Sequence, residues 1–176
     1  STGMPNGVFS MLFGEGHIVG KALINHPAVK SAAFTGSESA GRILFDIASQ
    51  RPEPIPFFAE MGSLNPVVLL PGALTRRGKD IAGDLAASVT LGCGQFCTKP
   101  GLLIAVRGEA LNAFIEDLSE CMRKILPVSM LNPKIHASFL SARQKALVQD
   151  GVRRIAVSDM DPDAAANPGQ PSLVTV

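Results

Sequence analysis

The sequence lacks an excess of charge of either sign. Its 16 Lys and Arg face 15 Asp and Glu, for a formal net charge of +1. A nucleic-acid footprint requires a basic excess or stripe, and so does a polybasic membrane anchor; neither partner is expected. Long hydrophobic runs are missing too. The longest aliphatic stretch is Leu102-Leu103-Ile104-Ala105-Val106, far short of the about 20 apolar residues of a membrane-spanning helix. No basic stretch followed by an apolar core opens the chain, so no secretory signal is read there. Cysteine is scarce and odd in number, with only Cys93, Cys97 and Cys121. Outside a secretory context such a set argues against a disulfide framework, and a reducing, cytoplasmic compartment is expected. Cys93 and Cys97 with His17, His26 and His136 give no paired ligand spacing, so no metal is expected. No G-x-S-x-G elbow supports a Ser-His-Asp hydrolase. No methionine opens the chain, which starts Ser1-Thr2-Gly3 and stops at the strand-like Leu173-Val174-Thr175-Val176. A segment of a longer polypeptide is the expectation.

Hydrophobic residues make up 46% and charged residues 18%, a balance that can build a packed core rather than a disordered chain. The 176 residues allow one domain of roughly 100–200 residues. Apolar periodicity alternates between strand-like and helix-like, which predicts an α/β organisation. Strands are predicted over 8–13, 31–35, 57–61, 66–70 and 102–106. Helices are predicted over 17–25, 38–50, 77–91, 108–126 and 133–149. Pro52, Pro54 and Pro56 mark residues 51–56 as a connector. Residues 159–171, rich in Asp, Ala and Pro, read as a surface loop. No internal repeat is present.

Cys97 lies in Gly94-Gln95-Phe96-Cys97-Thr98-Lys99-Pro100-Gly101, between a predicted helix and a predicted strand. Flanking glycines let a ligand approach the backbone. A thiol on such a connection is a candidate nucleophile, with Lys99 nearby to favour the thiolate. The alternative is a small buried hydrophobe, a common fate of free cysteine. Glu60 sits in Phe57-Phe58-Ala59-Glu60-Met61-Gly62. It is either a solvated charge at a strand end or a buried carboxylate that could act as a general base. Phe34-Thr35-Gly36-Ser37-Glu38-Ser39-Ala40-Gly41 falls at a strand-to-helix turn. Free N–H groups there suit a phosphate; the other reading is that Thr35 or Ser37 caps the helix, Thr35 with Glu38 as a capping box. Gly14, Gly16 and Gly20 give G-x-G-x-x-x-G, which misses the dinucleotide spacing.

Three motifs occur in one order: Phe34-Thr35-Gly36-Ser37 with Gly41; Glu60-Met61-Gly62 leading to Asn65-Pro66; and Gly94-Gln95-Phe96-Cys97. Together they resemble the NAD(P)-dependent aldehyde dehydrogenase superfamily, over roughly residues 4 to 126. The finer wording is similar to the branch acting on 2-oxoglutarate semialdehyde (2,5-dioxopentanoate). The cues are Gly7-Val8-Phe9-Ser10, Leu12-Phe13-Gly14-Glu15-Gly16, residues 51–56, Leu70-Pro71-Gly72-Ala73-Leu74 and Gly94-Gln95-Phe96-Cys97-Thr98. Lys99 stands where that branch has Asn, and Gly62 where it often has Ser.

The resemblance implies an α/β, aldehyde-dehydrogenase-like fold. Residues 1–59 would be the last part of a Rossmann-like coenzyme domain, and 60–176 the first part of the catalytic domain. It implies Cys97 as nucleophile, Glu60 as the base that activates water, and the Cys97 N–H as an oxyanion donor. Gly36, Ser37 and Gly41 would lie along NADP or NAD, and the full-length form would be a homo-oligomer. Family members are more than twice as long, and their side-chain oxyanion donor lies upstream of Ser1 in family order. The isolated segment is therefore expected to be inactive and prone to associate. Two other readings stay open: a non-catalytic remnant or interaction module, and an enzyme that passes the acyl group to coenzyme A. Glu60 counts against the second, which needs no water-activating base.

Overall fold

Helices and strands do alternate along the chain. The structure, a computed structural model, describes residues 3–162 and 165–176. The chain divides into two compact units, Ser1–Gly62 and Ser63–Val176. The division falls after Gly62 because the strand carrying Glu60 pairs with an earlier strand of the first unit.

The first unit holds α1 (Gly16–Asn25), β1 (Ala32–Gly36), α2 (Glu38–Ser49) and β2 (Phe57–Met61). β1 and β2 pair in parallel, from Ala32 opposite Phe57 to Gly36 opposite Met61. Parallel strands need a crossover, and α2 supplies it, packing on both strands and on α1. Ser37 is the N-cap of α2: its Oγ accepts the Ala40 N–H at 3.3 Å. Thr35 lies inside β1, so of the two capping alternatives the Ser37 cap forms and the Thr35–Glu38 capping box does not.

Arg51 opens the connector and is buried. Its guanidinium donates to the carbonyls of Ile24 (2.8 Å), Val29 (3.0 Å) and His26 (3.2 Å). A cation at the C-terminal end of α1 also complements the helix dipole. The strand predicted over 8–13 is absent. Those residues are exposed, Phe13 by 84% and Phe9 by 77%. Among the described residues no strand pairs with them, so a ladder would leave their backbone groups unmatched. Without that strand, Gly14 to Gly20 also lacks the strand–turn–helix setting of a dinucleotide loop.

The second unit holds β3 (Pro66–Leu69), α3 (Pro71–Thr90), a 3₁₀ turn (Leu91–Gly94), β4 (Leu102–Ala105) and α4 (Glu109–Arg123). β5 (Val128–Ser129), α5 (Pro133–Leu147), β6 (Arg153–Val157), β7 (Pro168–Gly169) and β8 (Ser172–Thr175) follow. β3 and β4 are parallel, with Pro66 opposite Leu102 and Leu69 opposite Ala105. The core lies between α3 and α4 and these strands: Leu69, Leu74, Ala82, Ala86, Phe114, Leu118, Met122 and Ala156 are buried together. The predicted stripe Ile81, Leu85 and Val89 packs against it. α3 starts at Pro71 rather than at residue 77, with a non-helical break at Arg77 (φ −147°, ψ 30°). Pro71 suits a first helical turn, where no N–H is needed.

β6 was not predicted, since Arg153 and Arg154 mask its apolar half. It pairs antiparallel with β8. The stretch 159–171, expected to be loop throughout, contains β7, whose Gly169 and Pro168 pair with Val128 and Ser129. Residues 163 and 164 of that stretch lie outside the described ones. Among the described residues no helix is long and apolar enough to cross a membrane.

Candidate functional site

Parallel strands begin side by side, so the segments that enter β3 and β4 run alongside each other. The first is Ser63-Leu64-Asn65; the second is Cys97 to Gly101. Gly101 N–H donates to the Leu64 carbonyl at 2.7 Å, and a Cβ on Gly101 would sit 2.8 Å from that oxygen. Only glycine permits the approach. Asn65 Nδ2 donates to the Cys97 carbonyl at 2.6 Å and to the Lys99 carbonyl at 3.0 Å. Ser63 Oγ donates to the Cys97 carbonyl at 2.5 Å. Lys99 N–H donates to the Phe96 carbonyl at 3.2 Å and closes a turn over Cys97 and Thr98.

The 3₁₀ turn before it is built from consecutive left-handed residues: Gly92 (φ 56°), Cys93 (φ 60°) and Gly94 (φ 70°). It reverses the chain sharply at the end of α3. Gln95 ties it down, donating through Nε2 to the Gly92 carbonyl at 3.0 Å and accepting the Leu131 N–H at 3.1 Å.

Cys97 is exposed on this turn, so the buried-hydrophobe alternative is not what the fold makes of it. Cys93 and Cys121 are half-buried. The Cys93 thiol donates to the Val128 carbonyl at 3.3 Å. Burial pushes the Cys93 thiol up from its ordinary value, and its hydrogen bond to the Gly169 backbone opposes that in part. Cys93 is therefore a poor source of thiolate.

Glu60 occupies β2 and is exposed, the solvated one of its two sequence alternatives. It stands opposite Thr35, one register step before the Gly36–Met61 pair. Gly36, Ser37 and Glu60 thus gather at the carboxyl ends of a parallel strand pair, where open α/β sheets bind ligands. Glu60 belongs to the first unit and Cys97 to the second.

Gly36 and Gly41 also have a packing reason. A Cβ at Gly36 would meet the Phe34 ring at 2.6 Å. At buried Gly41 it would collide with Met61 Sδ and lie 2.6 Å from Met61 Cγ. Gly41→Val should accordingly destabilise the first unit by about 1–3 kcal/mol, the usual cost of overpacking. Urea unfolding followed by circular dichroism measures it; an unchanged midpoint would mean that α2 has room to spare.

Residues 1–160 match the family model described as "Aldehyde dehydrogenase family". The chain belongs to the aldehyde dehydrogenase family. It is 44% identical over 156 residues to an alpha-ketoglutaric semialdehyde dehydrogenase of Acinetobacter baylyi, covering 89% of this chain and 29% of that protein. It is 46% identical over 158 residues to alpha-ketoglutaric semialdehyde dehydrogenase 2 of Azospirillum brasilense, covering 90% and 30%. Among solved structures, the NAD-dependent aldehyde dehydrogenase of Sinorhizobium meliloti superposes with a TM-score of 0.71 at 25% identity, over 88% of this chain and 31% of that one. The fold is the α/β aldehyde dehydrogenase type, and the chain spans less than a third of the length of the curated relatives it matches.

Two residues of this aldehyde dehydrogenase segment escaped the sequence reading of its site. Ser63 and Asn65 hold the Cys97 turn. The Asn65-Pro66 dipeptide marks a turn, but nothing in the sequence says which carbonyls a side chain at a turn will reach.

Proposed function

We propose that this chain carries the nucleophile and the water-activating base of an NAD(P)-dependent aldehyde dehydrogenase. The substrate we assign is a small carboxylated semialdehyde, 2-oxoglutarate semialdehyde by analogy with the two named relatives. The observation that carries the reading is Cys97, an exposed thiol on a turn whose carbonyls are held from the neighbouring segment. The Cys97 sulfur attacks the aldehyde carbon and forms a thiohemiacetal. In a turn closed from Phe96 to Lys99, the Cys97 N–H is not consumed by the turn itself, which leaves it able to donate to the developing oxyanion. Loss of hydride leaves a thioacyl enzyme. Glu60 then takes a proton from the water that attacks the acyl carbon, and the thiol departs as the carboxylate product forms.

One feature of the first unit supports a phosphate of the dinucleotide there. α2 starts at the carboxyl end of β1, and its first-turn N–H groups have no intrahelical acceptors. Gly36, Ser37 and Gly41 are the residues assigned to hold NADP or NAD, which when bound accepts the hydride. On this reading the first unit is the last part of the coenzyme domain and the second the first part of the catalytic domain. A reducing, cytoplasmic location belongs to the same reading. The complete enzyme is assigned as a homo-oligomer.

A chimera tests the proposal. Residues 1–160 replace the matching segment of the Acinetobacter baylyi relative, and formation of reduced nicotinamide is followed with the semialdehyde. The chimera is expected to turn over, and the isolated 176-residue chain is not. A soluble, folded chimera without activity would count against the catalytic reading, and activity in the isolated chain would refute the division of the site.

A further inference from the structure

The Cys97 turn projects from the end of a 3₁₀ turn, and its residues from Gln95 to Thr98 are exposed. No regular ladder holds it until Leu102 joins β4. We propose that Asn65 is the positioning residue for this turn, fixing the direction in which the Cys97 thiol leaves the backbone. The proposal rests on the reading of Cys97 as nucleophile.

One amide group reaches two carbonyls, those of Cys97 and Lys99, at 2.6 and 3.0 Å. Two acceptors mean that the nitrogen, not the oxygen, of the Asn65 amide faces the turn. A single bond would leave the turn free to swivel, whereas two anchors two residues apart fix its plane. The peptide unit is planar, so holding the Cys97 carbonyl also holds the Thr98 N–H. What remains at Cys97 is rotation of its own ψ and φ, limited by the turn bond from Lys99 to Phe96, and the side-chain rotamer.

The backbone at Asn65 suits this task. Its φ is 47°, in the left-handed region that Asn tolerates better than most residues. Pro66 follows at the start of β3, in register with Leu102. The strand pair therefore sets the spacing between the amide and its two carbonyls. Ser63 adds a second donor to the Cys97 carbonyl but does not reach Lys99, so it supports the turn without setting its plane.

Two substitutions separate the amide from the backbone. Asn65→Gly keeps the left-handed conformation and removes both hydrogen bonds. Asn65→Asp keeps the shape but can only accept, and it sets a carboxylate against two carbonyls. In the full 176-residue chain, exchange of the Lys99 amide should quicken about tenfold in Asn65→Gly. The amides of β3 and β4 should exchange as before. In the chimera, both variants should lower kcat by about 10–100-fold, the scale of a nucleophile misplaced by about an ångström. The KM for the nicotinamide cofactor should stay within about twofold, since uniform binding is untouched. Unchanged Lys99 exchange with unchanged kcat would overturn the proposal. So would a loss of kcat accompanied by faster exchange throughout β3 and β4, because that is general destabilisation. If instead Cys97→Ala leaves the chimera active, the nucleophile assignment itself fails, independently of Asn65.

Discussion

Cys97→Ala in the chimera is expected to lower aldehyde oxidation on the order of 10⁶-fold, the scale seen when a covalent nucleophile is removed. The expectation rests on the contrast among the three thiols. Cys97 is exposed on its turn, whereas Cys93 and Cys121 are half-buried. Cys93 is held near the Val128 carbonyl, and burial pushes its thiol up from the ordinary value. Steady-state assay with the semialdehyde decides the matter; a loss under about tenfold would mean that the sulfur is not the attacking group.

Glu60→Gln should behave differently, because the proposed mechanism uses Glu60 in the second half of the reaction. The amide has the shape of the carboxylate but cannot accept a proton from water. Attack by Cys97 and loss of hydride should proceed, giving a burst of reduced nicotinamide equal to the enzyme present. Turnover should then slow by about 10²–10⁴-fold, the usual contribution of a general base. Stopped-flow absorbance resolves the two phases. A variant with no burst would place Glu60 before hydride loss. A variant with unchanged turnover would favour transfer of the acyl group to a thiol acceptor such as coenzyme A.

Most elements of the fold were legible because their apolar spacing is unbroken. α2, β2 and β4 fall within a residue of their predicted bounds. α4 is shorter than its apolar stripe, ending at Arg123. The misses have specific causes. Residues 8–13 have a strand's composition but no partner among the described residues, and composition cannot report a partner. β6 is hidden by Arg153 and Arg154, and β7 is two residues in a stretch of turn formers. Among the candidate residues, Cys97 and Glu60 stand out because a thiol and a carboxylate are chemically conspicuous. Asn65 was visible only as part of a motif. Its two hydrogen bonds span 32 and 34 residues of sequence, a distance over which local reasoning has no purchase. Gly41 had only a ligand-facing reading, and its contact with Met61 needed the register of β1 and β2 to be seen.

Arg51 gives the connector a further significance. A proline-rich passage with no regular structure holds, through one side chain, the last carbonyls of α1 and the bend that follows it. Among the described residues α1 packs chiefly on α2, and the residues before it are exposed. Its attachment therefore draws on α2 and on the Arg51 cation, which arrives from beyond α2 in the chain. Helix and connector should open together as one cooperative unit, so that losing the Arg51 guanidinium would loosen the end of α1, the bend after it and the start of the connector at once.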